Sequence, residues 1–343
     1  MRINQDRRRF LATAAATVAG LELSMLGATK SLVSGEPRPD RGLAALRGAT
    51  TWLNSPPLTA DALRGKVVLV DFCTYTCVNW LRTLPYLRAW DAKYREHGLV
   101  VIGAHTPEFD FEHDLDNVRR ALTAMRVAYP IAVDNDYAIW NGFSNQYWPA
   151  LYLIDANGAT RFTHFGEGAY DESERKIQNV LGDLGAKGFS PELVTVEARG
   201  LEVAADWGTL RSPESYLGTQ QGRGFVRSGA RLRLNEWTVA GDWTLGSKAV
   251  ALKQPSGRIV YRFHARDLNL VMGPVARGMS VRCRVRVDGQ PASGGADVDG
   301  QGQGVVTEQR TYQLIRQARP IEDRQFEIEF LEAGVEAFCF TFG

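Results

Sequence analysis

The stretch DFCTYTCVNWLRTLPY, residues 71–86, holds the residues of this chain best placed to do chemistry. An apolar run, KVVLV at 66–70, leads into it, and Val78, Leu81, Leu84 and Leu87 follow near one helical face. Cys77 therefore sits where a buried strand hands over to a helix. The amides and dipole of a helix N-terminus favour a thiolate over a thiol. A thiolate attacks disulfides and peroxides. Sites of this kind usually carry a second cysteine three residues on, but that position is Trp80, and another cysteine stands four residues earlier, at Cys73. Three readings stay open: a redox site with a displaced second thiol, a one-cysteine site, or an inert thiol on a retired fold.

Neighbouring residues divide in the same way. Cys73 could resolve an intermediate on Cys77 if the two Cα atoms come within roughly 4.4–6.8 Å. Otherwise it is a small apolar filler of a packed position. Asp71 is the candidate proton donor or acceptor, with burial raising its pKa, or it caps the following turn. Thr74 completes a T-x-x-C pattern. Trp80 and Trp148 either line a groove around the thiol or pack. His105 and His113 lack metal-ligand spacing to any cysteine and receive no role. The four cysteines form neither a disulfide framework nor a zinc pattern, so no metal or cofactor is expected.

The elements that must position these residues alternate. Strand 66–72 leads to helix 77–96, and LVVIGAH (99–105) reads as a buried strand. Leu115, Val118, Leu122 and Met125 mark an amphipathic helix over 112–126, followed by a short strand, YPIAVD (129–134), and a helical turn at 137–143. ALYLID (150–155) and TRFTHF (160–165) make a hairpin around Asn157-Gly158, and a helix spans 171–184. This is an α/β domain. After residue 190 come short alternating runs at 231–237, 258–265, 280–289, 311–317, 325–331 and 336–343, the pattern of an antiparallel sandwich or jelly roll. A chain of 343 residues is long enough for two such domains. Its formal charge of +1 gives no global field for nucleic acid. Arg7, Arg8, Arg9, Phe10 and Leu11 precede a mild Ala/Thr/Gly-rich run, as in a twin-arginine export signal. Glu22 within that run fits an amphipathic helix or disorder better.

The motifs together resemble a known family. Asp71 six before Cys77, Pro85 eight after it, and Trp148-Pro149 before a strand look like a thioredoxin-fold domain of the exported redoxin type. With HTPEF (105–109) and YWPALYLID (147–155), the stretch 71–86 is similar to the soluble region of DipZ-like proteins, with C-x-x-W in place of C-x-x-C. SPESYLG (212–218), AGDWTLG (240–246) and EIEFLEAGVEAFCFTFG (327–343) resemble the β-sandwich of that branch. The residues themselves set apart a signal segment at 1–34 and a Pro-, Gly- and Arg-rich lead-in at 35–65; the resemblance implies a thioredoxin-like domain at 66–190 and a carbohydrate-binding-module-like sandwich at 191–343. It further implies a cis-proline at Pro149 beside the thiol, shaping with Trp148 a groove for an extended substrate. The expected protein is an extracytoplasmic thiol oxidoreductase with Cys77 as its single nucleophile, periplasmic or in the cell envelope, acting on a thiol or disulfide protein.

Two alternatives follow from the same residues. One is a thiol peroxidase in which Thr74 orients a peroxide, as in peroxiredoxins, although Val70 stands where those carry a proline. The other is a redox-inactive scaffold whose sandwich binds a glycan or envelope partner, with Trp207, Trp237 and Trp243 available for stacking. Residues 295–308, GADVDGQGQGVVTE, come near a calcium-loop spacing but read better as a Gly-rich hairpin.

Overall fold

Strand β2 (Val67–Cys73) is buried along its whole length because both of its faces meet apolar layers. Val67, Leu69 and Cys73 enter the core on one side, while Val68, Val70 and Phe72 enter a second core on the other. That two-sided burial explains the unbroken run KVVLV. A computed structural model describes residues 41–227 and 231–343. The Arg7–Leu11 motif and the signal segment expected around it lie outside the described residues.

Around β2 the first sheet adds β1 (Thr51–Leu53), β3 (Leu99–His105), β4 (Ile131–Val133), β5 (Ala150–Ile154) and β6 (Thr160–Phe165), in the order β1-β4-β3-β2-β5-β6. β2, β3 and β4 are parallel, and β1, β5 and β6 run antiparallel to their neighbours. Helices α2 (Val78–Tyr94), α3 (Leu115–Ala124) and α5 (Tyr170–Asp183) supply the first core, and α1 (Arg41–Ala45) with α4 (Ala138–Gly142) covers the other face. The stretch read as a lead-in thus contributes an edge strand and a short helix.

Boundaries follow local chemistry. α2 gives way to a 3-10 turn at Arg95–His97, which Gly98 ends at φ 97°, a conformation glycine adopts without a Cβ penalty. The helix expected from 112 begins instead at Leu115. Asp114 caps it, accepting from the amides of Asp116 (2.9 Å) and Asn117 (3.2 Å).

The second half folds as two antiparallel sheets. One contains β7 (Ser215–Tyr216), β9 (Trp243–Leu245), β10 (Val250–Leu252), β12 (Asp267–Pro274), β16 (Arg310–Arg316) and β18 (Val335–Phe342). The other contains β8 (Trp237–Ala240), β11 (Gly257–Phe263), β13 (Val281–Val287), β14 (Gln290–Pro291), β15 (Gln303–Val306) and β17 (Arg324–Phe330). β13 alternates buried and exposed residues along most of its length, as expected for a sheet with one face in water. The run 231–237 is not a strand until Trp237, because Asn235 turns the chain at φ 68°. β12 was not legible in the sequence: DLNLVMGP has no regular alternation because all eight residues are buried.

The reason is the contact between the two halves. Val271 of β12 and Phe338 and Cys339 of β18 join the core of the thioredoxin-like half. Phe338 packs on Phe109 and Phe111, with ring centroids 5.4 and 4.8 Å apart. Arg277 spans to Asp114 and Asp116 at 2.8 and 3.0 Å. The connection between the halves is also tied down. Val194 N–H donates to Glu174 (2.9 Å), Arg88 pairs with Glu202 (2.7 Å), and Arg316 donates to the Gly200 carbonyl (3.0 Å).

Candidate thiol site

Cys77 is the N-cap of α2, with extended backbone (φ −71°, ψ 110°), and its carbonyl accepts the first helical bond from Leu81 N–H at 3.0 Å. Its own N–H donates to the Thr74 carbonyl at 3.1 Å. It is partly exposed, unlike the other three cysteines, which are buried. Its Sγ lies 3.8 Å from the carbonyl oxygen of Trp148. The Trp148–Pro149 peptide bond is cis, and Pro149 is buried at the start of β5. Trp148 packs on Trp140 at 4.2 Å, and Tyr147 on Phe165 at 4.9 Å. Phe165 is 44% exposed, so this side of the site carries an apolar rim.

Trp80 does not line a groove. It is fully buried, and its Nε1–H donates to Asp71 Oδ2 at 2.7 Å. The residue standing where the second cysteine would be is therefore a core aromatic that holds the buried acid. Asp71 is itself inaccessible, and burial pushes its pKa up to about 7 against the lowering effect of the Trp80 bond. Its negative charge acts on Cys73.

Cys73 ends β2 and is fully buried. A Cβ on Gly103 would come within 3.4 Å of both Cys73 Sγ and Tyr129 Cε2, so the sulfur lies against Gly103 of β3 in the pocket that the Tyr129 ring also lines. Burial, and then the charge of Asp71, push its thiol pKa well up. A thiol so placed is a poor nucleophile at neutral pH. Thr74 is fully buried, and its hydroxyl faces the Glu112 carboxylate.

Three site residues were not legible in the sequence. Glu112, fully buried, accepts from Thr76 N–H (3.3 Å), Thr76 Oγ1 (2.6 Å), Glu108 N–H (2.6 Å) and Phe109 N–H (2.9 Å). Burial raises its pKa. In the sequence it is the first residue of the helix expected over 112–126, one of several acids there with nothing to mark it. His105 stacks on Tyr75 at 5.9 Å, and burial lowers its pKa to about 4, which keeps the ring neutral. Arg82, 2% exposed, pairs with Glu167 at 2.9 Å and donates to the Phe342 carbonyl at 3.0 Å. Only the spacing of Arg82 from Cys77, on the helix face opposite Leu81 and Leu84, could have flagged it.

In the sandwich, Trp237 is buried and donates to the Arg223 carbonyl at 2.7 Å, and Trp243 packs its edge on Phe330. Of the three tryptophans considered for stacking, only Trp207 stands well out, at 62% exposure. Asp297 is taken by Arg310 and the Gln313 amide, both at 2.7 Å, and Asp299 caps its own turn through the amides of Gln301 and Gln303. Among the described residues no group of three acidic, histidine or cysteine side chains could hold a metal ion. None of the helices among them is long and apolar enough to cross a membrane.

The Asp71 site carries a pH signature. Its folded pKa of about 7 stands above the ordinary carboxylate value of 3.8. A raised carboxyl favours the folded state while protonated, and that contribution is lost as pH rises through the folded pKa. Asp71→Asn is therefore expected to match the parent in stability near pH 4 and to exceed it increasingly toward pH 8, by ~4 kcal/mol at most. Denaturant unfolding of both proteins across that range checks it, and a constant difference would refute it.

Residues 212–343 match the family described as thioredoxin like C-terminal domain. Protein DipZ of Mycobacterium bovis is 33% identical over 315 residues, spanning 87% of this chain and 42% of that protein. The chain thus spans less than half the length of that relative. Thiol-disulfide oxidoreductase YkuV of Bacillus subtilis is 26% identical over 148 residues, 43% of this chain and 96% of that protein. Among solved structures, a thioredoxin-like protein in its oxidized form is 27% identical, covering 39% of this chain and 90% of that one, at a TM-score of 0.37.

Proposed function

We propose, for a chain that belongs with the DipZ-like thioredoxin-fold proteins, a thiol-disulfide oxidoreductase in which Cys77 is the single nucleophile. The observation that carries this is the setting of Cys77: N-cap of α2, partly exposed, with its sulfur 3.8 Å from the Trp148 carbonyl. Helix amides stabilise the thiolate, and the backbone of the Trp148–Pro149 turn lies beside the sulfur, where an extended partner would pass. The Cys77 thiolate attacks one sulfur of a partner disulfide. That S–S bond breaks, a Cys77–partner disulfide forms, and the second partner sulfur leaves as a thiolate. Trp80 cannot resolve the adduct, and Cys73 is held in the core, so one external thiolate attacks the Cys77 sulfur and releases the reduced partner, and a second attacks the resulting Cys77–thiol disulfide, releasing the Cys77 thiolate and the disulfide of the two external thiols.

Reduction of a protein disulfide with glutathione as electron source tests this. The rate should rise with glutathione, and without it the protein should consume one equivalent and stop. A rate that does not change with glutathione, or a Cys73–Cys77 disulfide in the protein after the single equivalent is consumed, would count against the reading. Thr74, buried and turned away from solvent, lends nothing to a peroxidase role. Location outside the cytoplasm rests on Arg7 and Arg8. Changing both to lysine should retain the precursor in the cytoplasm, and unimpaired export would argue otherwise.

A further inference from the structure

We propose that the β-sandwich is part of the thiol site, and that Thr311 on its β16 strand is a positioning residue for Cys77. The inference rests on the functional reading of Cys77 given above. Thr311 Oγ1 donates to the carbonyl oxygen of Thr76 at 2.7 Å, across the boundary between the two halves. That carbonyl belongs to the same planar peptide unit as the Cys77 N–H, so fixing one end fixes the other. The other end of the unit and the residue before it are held as well. Cys77 N–H donates to the Thr74 carbonyl at 3.1 Å, and both the N–H and the hydroxyl of Thr76 donate to Glu112.

Thr311, Thr76 and Glu112 are 2%, 1% and 0% exposed, so water cannot replace a missing partner without rearrangement. The peptide that leads into the helix at Cys77 is therefore held by a hydroxyl of the sandwich, and the Thr76 residue before it by a buried acid of the thioredoxin-like half. Preorganised N–H groups stabilise an anion only while their direction is held. Sandwich docking thus sets the reactivity of the thiol as well as covering apolar surface.

The test is the alkylation rate of Cys77 against pH, read by mass spectrometry of its peptide, with the three buried cysteines as internal controls. Thr311→Val keeps the shape and removes the donor. It should slow alkylation at neutral pH roughly fivefold, about the worth of one hydrogen bond, and move the pH midpoint upward. Thr311→Ser should restore both. Arg277→Ala, which cuts the exposed contacts to Asp114 and Asp116 without touching the peptide, should leave the pH profile as it was. If the valine variant does not fold, Thr311→Ala takes its place. An unchanged profile in the valine or alanine variant overturns the proposal, as does an equal shift in Arg277→Ala. The comparison is between variants, so it is readable whether or not the protein turns over disulfides.

Discussion

Trp80→Cys, which writes C-x-x-C into residues 77–80, is expected to lower the melting temperature by roughly 10 °C. The indole is fully buried beneath the thiol turn. Truncating a buried tryptophan to a small side chain costs about 3–5 kcal/mol in lost transfer and residual cavity. The same change removes the 2.7 Å bond to Asp71, whose other carboxylate oxygen has no partner. Leaving that group unpaired costs a further 1–3 kcal/mol or so, less where the acid protonates. Trp80→Phe should lose less, because it fills most of the volume and forfeits only the N–H. Calorimetry on the three proteins checks this. A cysteine variant melting within about 2 °C of the parent would show that the indole supports nothing.

The second large effect is on turnover. Cys77→Ser is expected to abolish glutathione-dependent disulfide reduction, because a serine hydroxyl supplies no thiolate to attack a sulfur. Cys73→Ala should keep the activity. Its sulfur packs beside Gly103 and Tyr129, and its pKa is pushed well above the ordinary thiol value. The same substitution costs some stability, since it deletes a buried apolar atom. If instead Cys73→Ala halts turnover while Cys77 still reacts once, Cys73 is the resolving thiol and the core must open to release it.

The strand–helix junction at Cys77 was legible because a buried strand and an amphipathic helix each announce themselves by pattern. The sandwich strands with a wet face were legible for the same reason, as in VRCRVRV. β12 was not, because its alternation is erased where the sheet is covered on both sides, and single-sequence periodicity carries no sign of a second covering layer. The role of Trp80 was half legible: its spacing showed that a dithiol cycle was missing, but the partner it gained, Asp71, faces it only once β2 and α2 have packed. Glu112 and Thr311 were not legible at all. Each meets Thr76 through long-range folding, across 36 and 235 residues.

The central claim is that Cys77 works alone. Reduced protein mixed with one equivalent of a small disulfide, quenched by acid and examined by mass spectrometry, tests it most directly. The account predicts a stable mixed disulfide on Cys77, with Cys73 recovered as a thiol. A Cys73–Cys77 disulfide as the main product would contradict it.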